Sequence, residues 1–135
     1  MNTAVGSRGP KVARKITKRP EEDLQKAVVR FLWGARPDCQ FFATTNQKGR
    51  RSTTEMRVLK AMGARAGVAD LVFYRGGFIG FIELKAAKGT QSPAQEQFQA
   101  ECDASGVPYM VCRSLAEVEG ALKGWGVTLR GRLVA

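Results

Sequence analysis

The chain contains no histidine. That excludes Ser-His-Asp and Cys-His catalysis, imidazole metal sites and a histidine general base. Cysteine is sparse. Cys39, Cys102 and Cys112 are odd in number and form no Cys-x-x-Cys pair. This argues against a zinc ribbon, a dithiol redox motif or a secreted disulfide framework, and for free buried thiols in a reducing compartment. No apolar run reaches the length of a membrane span, and no signal-peptide core follows the amino terminus. The expectation is an intracellular, cytoplasmic protein, bacterial or phage-like, with no membrane partner. Acidic residues are also short: 12 Asp and Glu stand against 22 Lys and Arg, a net charge of +10. Such an excess in a small protein points to a polyanion, with nucleic acid first and an acidic membrane surface second.

What remains is the composition of an ordinary globular domain: 135 residues, 44% hydrophobic and 25% charged. That is one domain's worth, large enough to bury a core without disulfides or metals as staples. Residues 1–20 stand apart. Arg8, Lys11, Arg14, Lys15, Lys18 and Arg19 have no acid among them and few apolar neighbours. The segment reads as a basic arm, disordered when free and engaged on phosphates. Residues 21–135 read as a single folded domain.

From Pro20, three acids precede Leu24, Ala27, Val28, Phe31 and Leu32 at helical spacing, with Gly34 as the stop. Residues 39–44 read as a strand and 45–51 as a polar basic loop. Ser52-x-x-Glu55 is a capping box opening a helix with Met56, Leu59 and Met62, which stops at Gly63. Residues 70–74 and 78–85 read as strands joined by a glycine turn. Ser92-Pro93-Ala94-Gln95 opens the next helix, ending near Ser105. A strand over 107–112 and a helix capped by Ser114 follow, and the last residues add an edge strand or a loose tail. The order predicts the α/β class, a mixed β-sheet flanked by helices.

The central hairpin carries the most information. With Gly76-Gly77 as a two-residue turn, Val72 faces Phe81, Leu71 faces Ile82 and Asp70 faces Glu83. Facing side chains share one side of the sheet, so two carboxylates stand together and Lys85 projects beside them. A three-residue turn without a bulge would separate them. The strands are apolar on both faces, which predicts a sheet covered on both sides and desolvated acids. Such a pair needs a compensating partner: a divalent cation, or Lys85 itself in an ion pair.

Gly67-Val68-Ala69-Asp70-Leu71, Ile82-Glu83-Leu84-Lys85 and Ser92-Pro93-Ala94-Gln95 together resemble the VRR-NUC family of the PD-(D/E)xK nuclease superfamily. The resemblance spans about Glu21 to Val111. Asn46 with Gly49-Arg50-Arg51 is similar to the family's basic loop. One departure is Ala69, where the family usually has proline. It shapes the approach to the strand and is no ligand.

The resemblance implies a restriction-endonuclease-like core and a phosphodiesterase dependent on Mg²⁺ or Mn²⁺. Asp70, Glu83 and the main-chain carbonyl of Leu84 would bind metal, and Lys85 would serve the attacking water and the phosphate. A metal supplies this chemistry without histidine. The superfamily often adds a glutamate from its first helix. At about 100° per residue, Glu21 lies beside the packed face and Glu22 nearly opposite, which favours Glu21. A helix-dipole role for Glu21 stays open. Gln95 has two readings, a site residue and the far half of a capping box. Asn46, Lys48, Arg50, Arg51, Arg57, Lys60 and Arg65 read as a phosphate track. Trp33 and Trp125 are assigned to core or interface. The resemblance further implies structure-selective cleavage of four-way, Holliday-type DNA junctions by a homodimer, whose symmetry supplies paired sites. The alternative is a non-catalytic basic nucleic-acid-binding protein with the same fold.

Overall fold

A computed structural model describes residues 19–44 and 52–131. Most of the basic arm and the 45–51 loop, with Asn46, Lys48, Arg50 and Arg51, lie outside the described residues.

Helix α1 (Pro20–Ala35) starts with proline in its first turn and Glu21, Glu22 and Asp23 around the orphan N–H groups, with no side-chain cap. Val28, Leu32 and Ala35 form its buried stripe. The helix passes Gly34, the expected stop, and ends on Arg36 in the left-handed region at φ 48°. The reason is tertiary. The Gly131 N–H bonds the Ala35 carbonyl at 2.7 Å, and Arg130 donates to the carbonyls of Arg36 and Pro37. Carbonyls left open by the helix end are thus satisfied by the chain's far end. An antiparallel bridge between Pro37 and Leu129 belongs to the same contact, so the described part of the tail is tied down.

Strand β1 (Gln40–Ala43) precedes helix α2 (Thr53–Ala61), which has the reciprocal Ser52–Glu55 capping box in place. Strands β2 (Leu71–Arg75) and β3 (Phe78–Leu84) form the hairpin, with Leu71 opposite Ile82 and Arg75 opposite Phe78 as the two-glycine turn requires. Helix α3 (Pro93–Ala104) crosses to β4 (Tyr109–Cys112), and helix α4 (Leu115–Gly124) follows. The sheet order is β1-β2-β3-β4, antiparallel except for the β3–β4 pair. This is the mixed α/β architecture.

Leu71, Phe73, Ile82 and Leu84 share one face, where α1 and α4 pack through Val28, Leu32, Val118 and Leu122. Trp125 belongs here. It meets Phe73 edge-on and Phe78 at a tilt and lies over Gly80, where a Cβ would stand 2.7 Å from the indole. The opposite face is covered only in part. Ala69, Phe81, Tyr109 and Val111 pack against Phe98 and Cys102 of α3, while Tyr74 and Ile79 stay exposed. A helix of 12 residues covers the half of the face that carries the acids and leaves the turn half to solvent. The core-or-interface assignment of Trp33 narrows. Trp33 is 70% exposed and is no core residue. Helix α2 buries no residue, and Met56 and Met62 are open to solvent.

Candidate active site

Asp70 is delivered by a constrained approach to β2. Gly67 takes φ +87°, and a Cβ there would collide with the main chain of Ala94 on α3. The Thr44 hydroxyl donates to the Ala69 carbonyl, and the Thr44 N–H donates to the Asp70 carbonyl, both at 2.9 Å. Asp70 is 2% exposed, and its Oδ2 accepts the Leu84 N–H at 2.7 Å. The hydrogen bond ties the start of β2 to the end of β3, beside Glu83.

Glu83 is fully buried. Its Oε2 accepts a hydrogen bond from Gln95 Nε2 at 2.8 Å and lies 3.5 Å from Lys85 Nζ. Gln95 performs both of its expected roles with one amide. Its Oε1 accepts the Ser92 N–H at 2.8 Å while the Ser92 hydroxyl accepts the Gln95 N–H. The capping box therefore fixes which way the amide points, and its NH₂ can only face Glu83.

Lys85 is buried, and its Nζ reaches 3.8 Å from Glu21 Oε2 as well as the Glu83 carboxylate. The two glutamates of the first turn diverge. Glu21 turns toward Lys85, whereas Glu22 pairs with Arg19 and Lys26 at the surface. Asp70, Glu83, Lys85, Glu21, Gln95 and the Leu84 main chain thus gather at one end of the sheet. Two buried carboxylates, a third acid and a carbonyl-bearing strand end are hard oxygen donors, which suit Mg²⁺ or Mn²⁺. Among the described residues no three His, Cys, Asp or Glu side chains group closely enough to hold an ion by themselves. The donor set suits a cation that completes its shell with water and phosphate.

Three residues near the site carry no sequence motif. Tyr109 is buried on β4, and its hydroxyl accepts from Gln91 Nε2 at 3.2 Å. Burial, and then the nearby Glu83 charge, pushes the phenol above its ordinary range. Arg113 follows β4 and donates to the carbonyls of Ala86 and Gly89, both at 2.7 Å, and Ala87 at 3.4 Å. The usable signal was topological. Parallel β3 and β4 bring their carboxyl ends together, so the residue after 107–112 had to lie near Lys85.

On α2, Arg57 and Lys60 are exposed. Arg65 is not a free member of the basic track. It pairs with Glu101 at 2.6 Å and lies over the Phe98 ring, anchoring the segment after α2 to α3.

No family model and no curated protein matches the chain. Among solved structures, one described as "VRR_NUC domain protein" superposes with a TM-score of 0.57 at 22% identity, covering 82% of this chain and 90% of that one. Another, described as "VRR_NUC domain", gives 0.53 at 18% identity over 78% of this chain and 97% of its own. The chain therefore has the α/β, restriction-endonuclease-like fold that these domains share.

Proposed function

We propose that this chain, which shares its fold with VRR-NUC domains, is a divalent-metal-dependent DNA endonuclease. The observation that carries the reading is the buried group of Asp70, Glu83 and Lys85 with Gln95 bonded to Glu83. Buried carboxylates beside one another are costly unless compensated, and a purely structural role would be served as well by apolar residues. Asp70, Glu83, the Leu84 carbonyl and Glu21 would hold Mg²⁺ or Mn²⁺. When bound, the ion supplies Lewis-acid chemistry at the phosphoryl group. The protein's own residues do the rest. Lys85 orients the attacking water through Nζ and stabilises charge on the phosphate. Gln95 keeps Glu83 in one rotamer. The half-covered sheet face excludes bulk water from the acids, which strengthens every charge interaction there.

The substrate is DNA. Arg57 and Lys60 of α2, with Asn46, Lys48, Arg50 and Arg51 of the preceding loop, track phosphates toward the site, and the basic arm adds further contacts. We assign structure-selective cleavage of four-way junctions to a homodimer, because two symmetric sites make paired cuts. A labelled four-way junction and a matched linear duplex, compared in Mg²⁺, in EDTA and with Lys85→Ala, test the reading. Metal- and Lys85-dependent cutting of the junction alone is expected. Cutting of both substrates would remove junction selectivity. Binding without cutting in Mg²⁺ or Mn²⁺ would leave a non-catalytic DNA-binding protein.

A further inference from the structure

Lys85 is followed by a turn with little to hold it. Ala86-Ala87-Lys88-Gly89 closes on one backbone bond, Gly89 N–H to the Ala86 carbonyl at 3.0 Å, and contributes to neither apolar cluster. Yet this turn seats the site. The Lys85 N–H pairs with the Cys112 carbonyl at its start, and Gly89 lies so close to Glu21 that a Cβ there would stand 3.0 Å from Oε2. Any drift of the turn moves Gly89 off the Glu21 carboxylate and shifts Lys85 between its two acids.

One side chain opposes that drift. Arg113 sits one residue beyond β4, with its N–H held by Glu117 Oε1 at 2.7 Å. Its Nη1 bears two N–H groups and donates to the Ala86 and Gly89 carbonyls at the two ends of the turn, both at 2.7 Å, with the Ala87 carbonyl farther off at 3.4 Å. The two N–H groups of Nη1 lie in the plane of the guanidinium at fixed directions; a lysine ammonium also donates from one nitrogen, but on a side chain one bond shorter. We propose that Arg113 is a positioning residue of the site: by clamping the Ala86–Gly89 turn it holds Lys85 and Glu21 in register with Glu83. This rests on the nuclease reading for its catalytic consequence only. Arg113 is itself exposed, so removing it leaves the core intact.

The test uses Arg113→Gln and Arg113→Lys in the full chain, with Arg130→Gln as control. Arg130 also holds backbone carbonyls, those of Arg36 and Pro37, and touches none of the site residues described above. In Arg113→Gln, hydrogen exchange at the Gly89 amide is expected to quicken. The kcat on a DNA junction should fall roughly 10–100-fold, as for supporting partners of metal sites, with KM for DNA unchanged. Mn²⁺ binding without DNA, followed by electron paramagnetic resonance, should weaken over the same range. Arg113→Lys, which keeps a multi-donor nitrogen on a shorter side chain, should fall between the wild type and Arg113→Gln, while Arg130→Gln keeps wild-type kcat and Mn²⁺ affinity. Wild-type kcat and Mn²⁺ affinity in Arg113→Gln would overturn the proposal, as would unchanged Gly89 exchange. If the wild type cuts no DNA, the nuclease reading fails by itself. Mn²⁺ affinity then decides: weaker binding by Arg113→Gln supports the clamp, and equal binding overturns it. Absence of Mn²⁺ binding in both proteins overturns the metal-dependent reading, and Gly89 exchange then decides the clamp: faster exchange in Arg113→Gln supports it, and equal exchange overturns it.

Discussion

Lys85 lies within 4 Å of both Glu83 and Glu21, and Asp70 stands beside them on the neighbouring strand. Carboxylates gathered at one end of the sheet repel one another. Asp70→Asn keeps an oxygen for the Leu84 N–H and removes one charge. It should stabilise the metal-free protein by about 0.5–2 kcal/mol in urea unfolding while abolishing cleavage, the trade expected where a site is built against stability. A second residue-scale effect lies away from the chemistry. Burial, and then the nearby Glu117 charge, pushes the Cys112 thiol from its ordinary 9.0 up to about 12. Between those values the unfolded chain releases a proton that the folded one keeps. The contribution of Cys112 to stability is therefore fully present below pH 9.0 and is lost as pH rises toward 12. Cys112→Ala should flatten that alkaline decline, measured as the urea midpoint against pH.

Two helices offer the same cap with different consequences. Ser92 caps α3 and Ser114 caps α4, each accepting a backbone N–H three residues on. Replacing either by alanine should cost about 1 kcal/mol. Ser92→Ala should also slow cleavage, because its partner Gln95 is the residue that grips Glu83. Ser114→Ala should change stability alone. Both caps were legible as Ser-x-x-Gln and Ser-x-x-Glu, and the hairpin register was legible from Gly76-Gly77. The end of α1 was not. Gly34 is a sound local stop, but the chain turns at Arg36 because Arg130 and Gly131 arrive from almost a hundred residues away. Nor was the solvent exposure of α2, whose methionine spacing looks the same whether or not a neighbour covers it.

At the scale of the molecule, the excess of positive charge lies partly on α2, whose ends connect to the site-bearing end of the sheet: Thr44 on one side, Gly67 to Asp70 on the other. The exposed Arg57 and Lys60 of α2 offer two cations to phosphates. Replacing Arg57 and Lys60 by alanine should weaken binding to all DNA sequences alike. It should also lower the slope of log K against log salt by about one for each phosphate that these side chains neutralise, read from titrations at several salt concentrations.

The order of residues alone was enough to set the secondary elements, the hairpin register and, through that register, the meeting of Asp70, Glu83 and Lys85. Those features depend on alternation, turn length and capping, all of which act within a few residues along the chain. Packing settled what lies across the fold: the reach of Glu21, which helical phase already favoured over Glu22, to Lys85, Arg65 bound to Glu101 and Phe98, and Arg113 on the turn after Lys85. Each of these contacts joins positions from 24 to 64 residues apart. At such separations it is the seating of helices on the sheet, with no local pattern to announce it, that determines which charges meet.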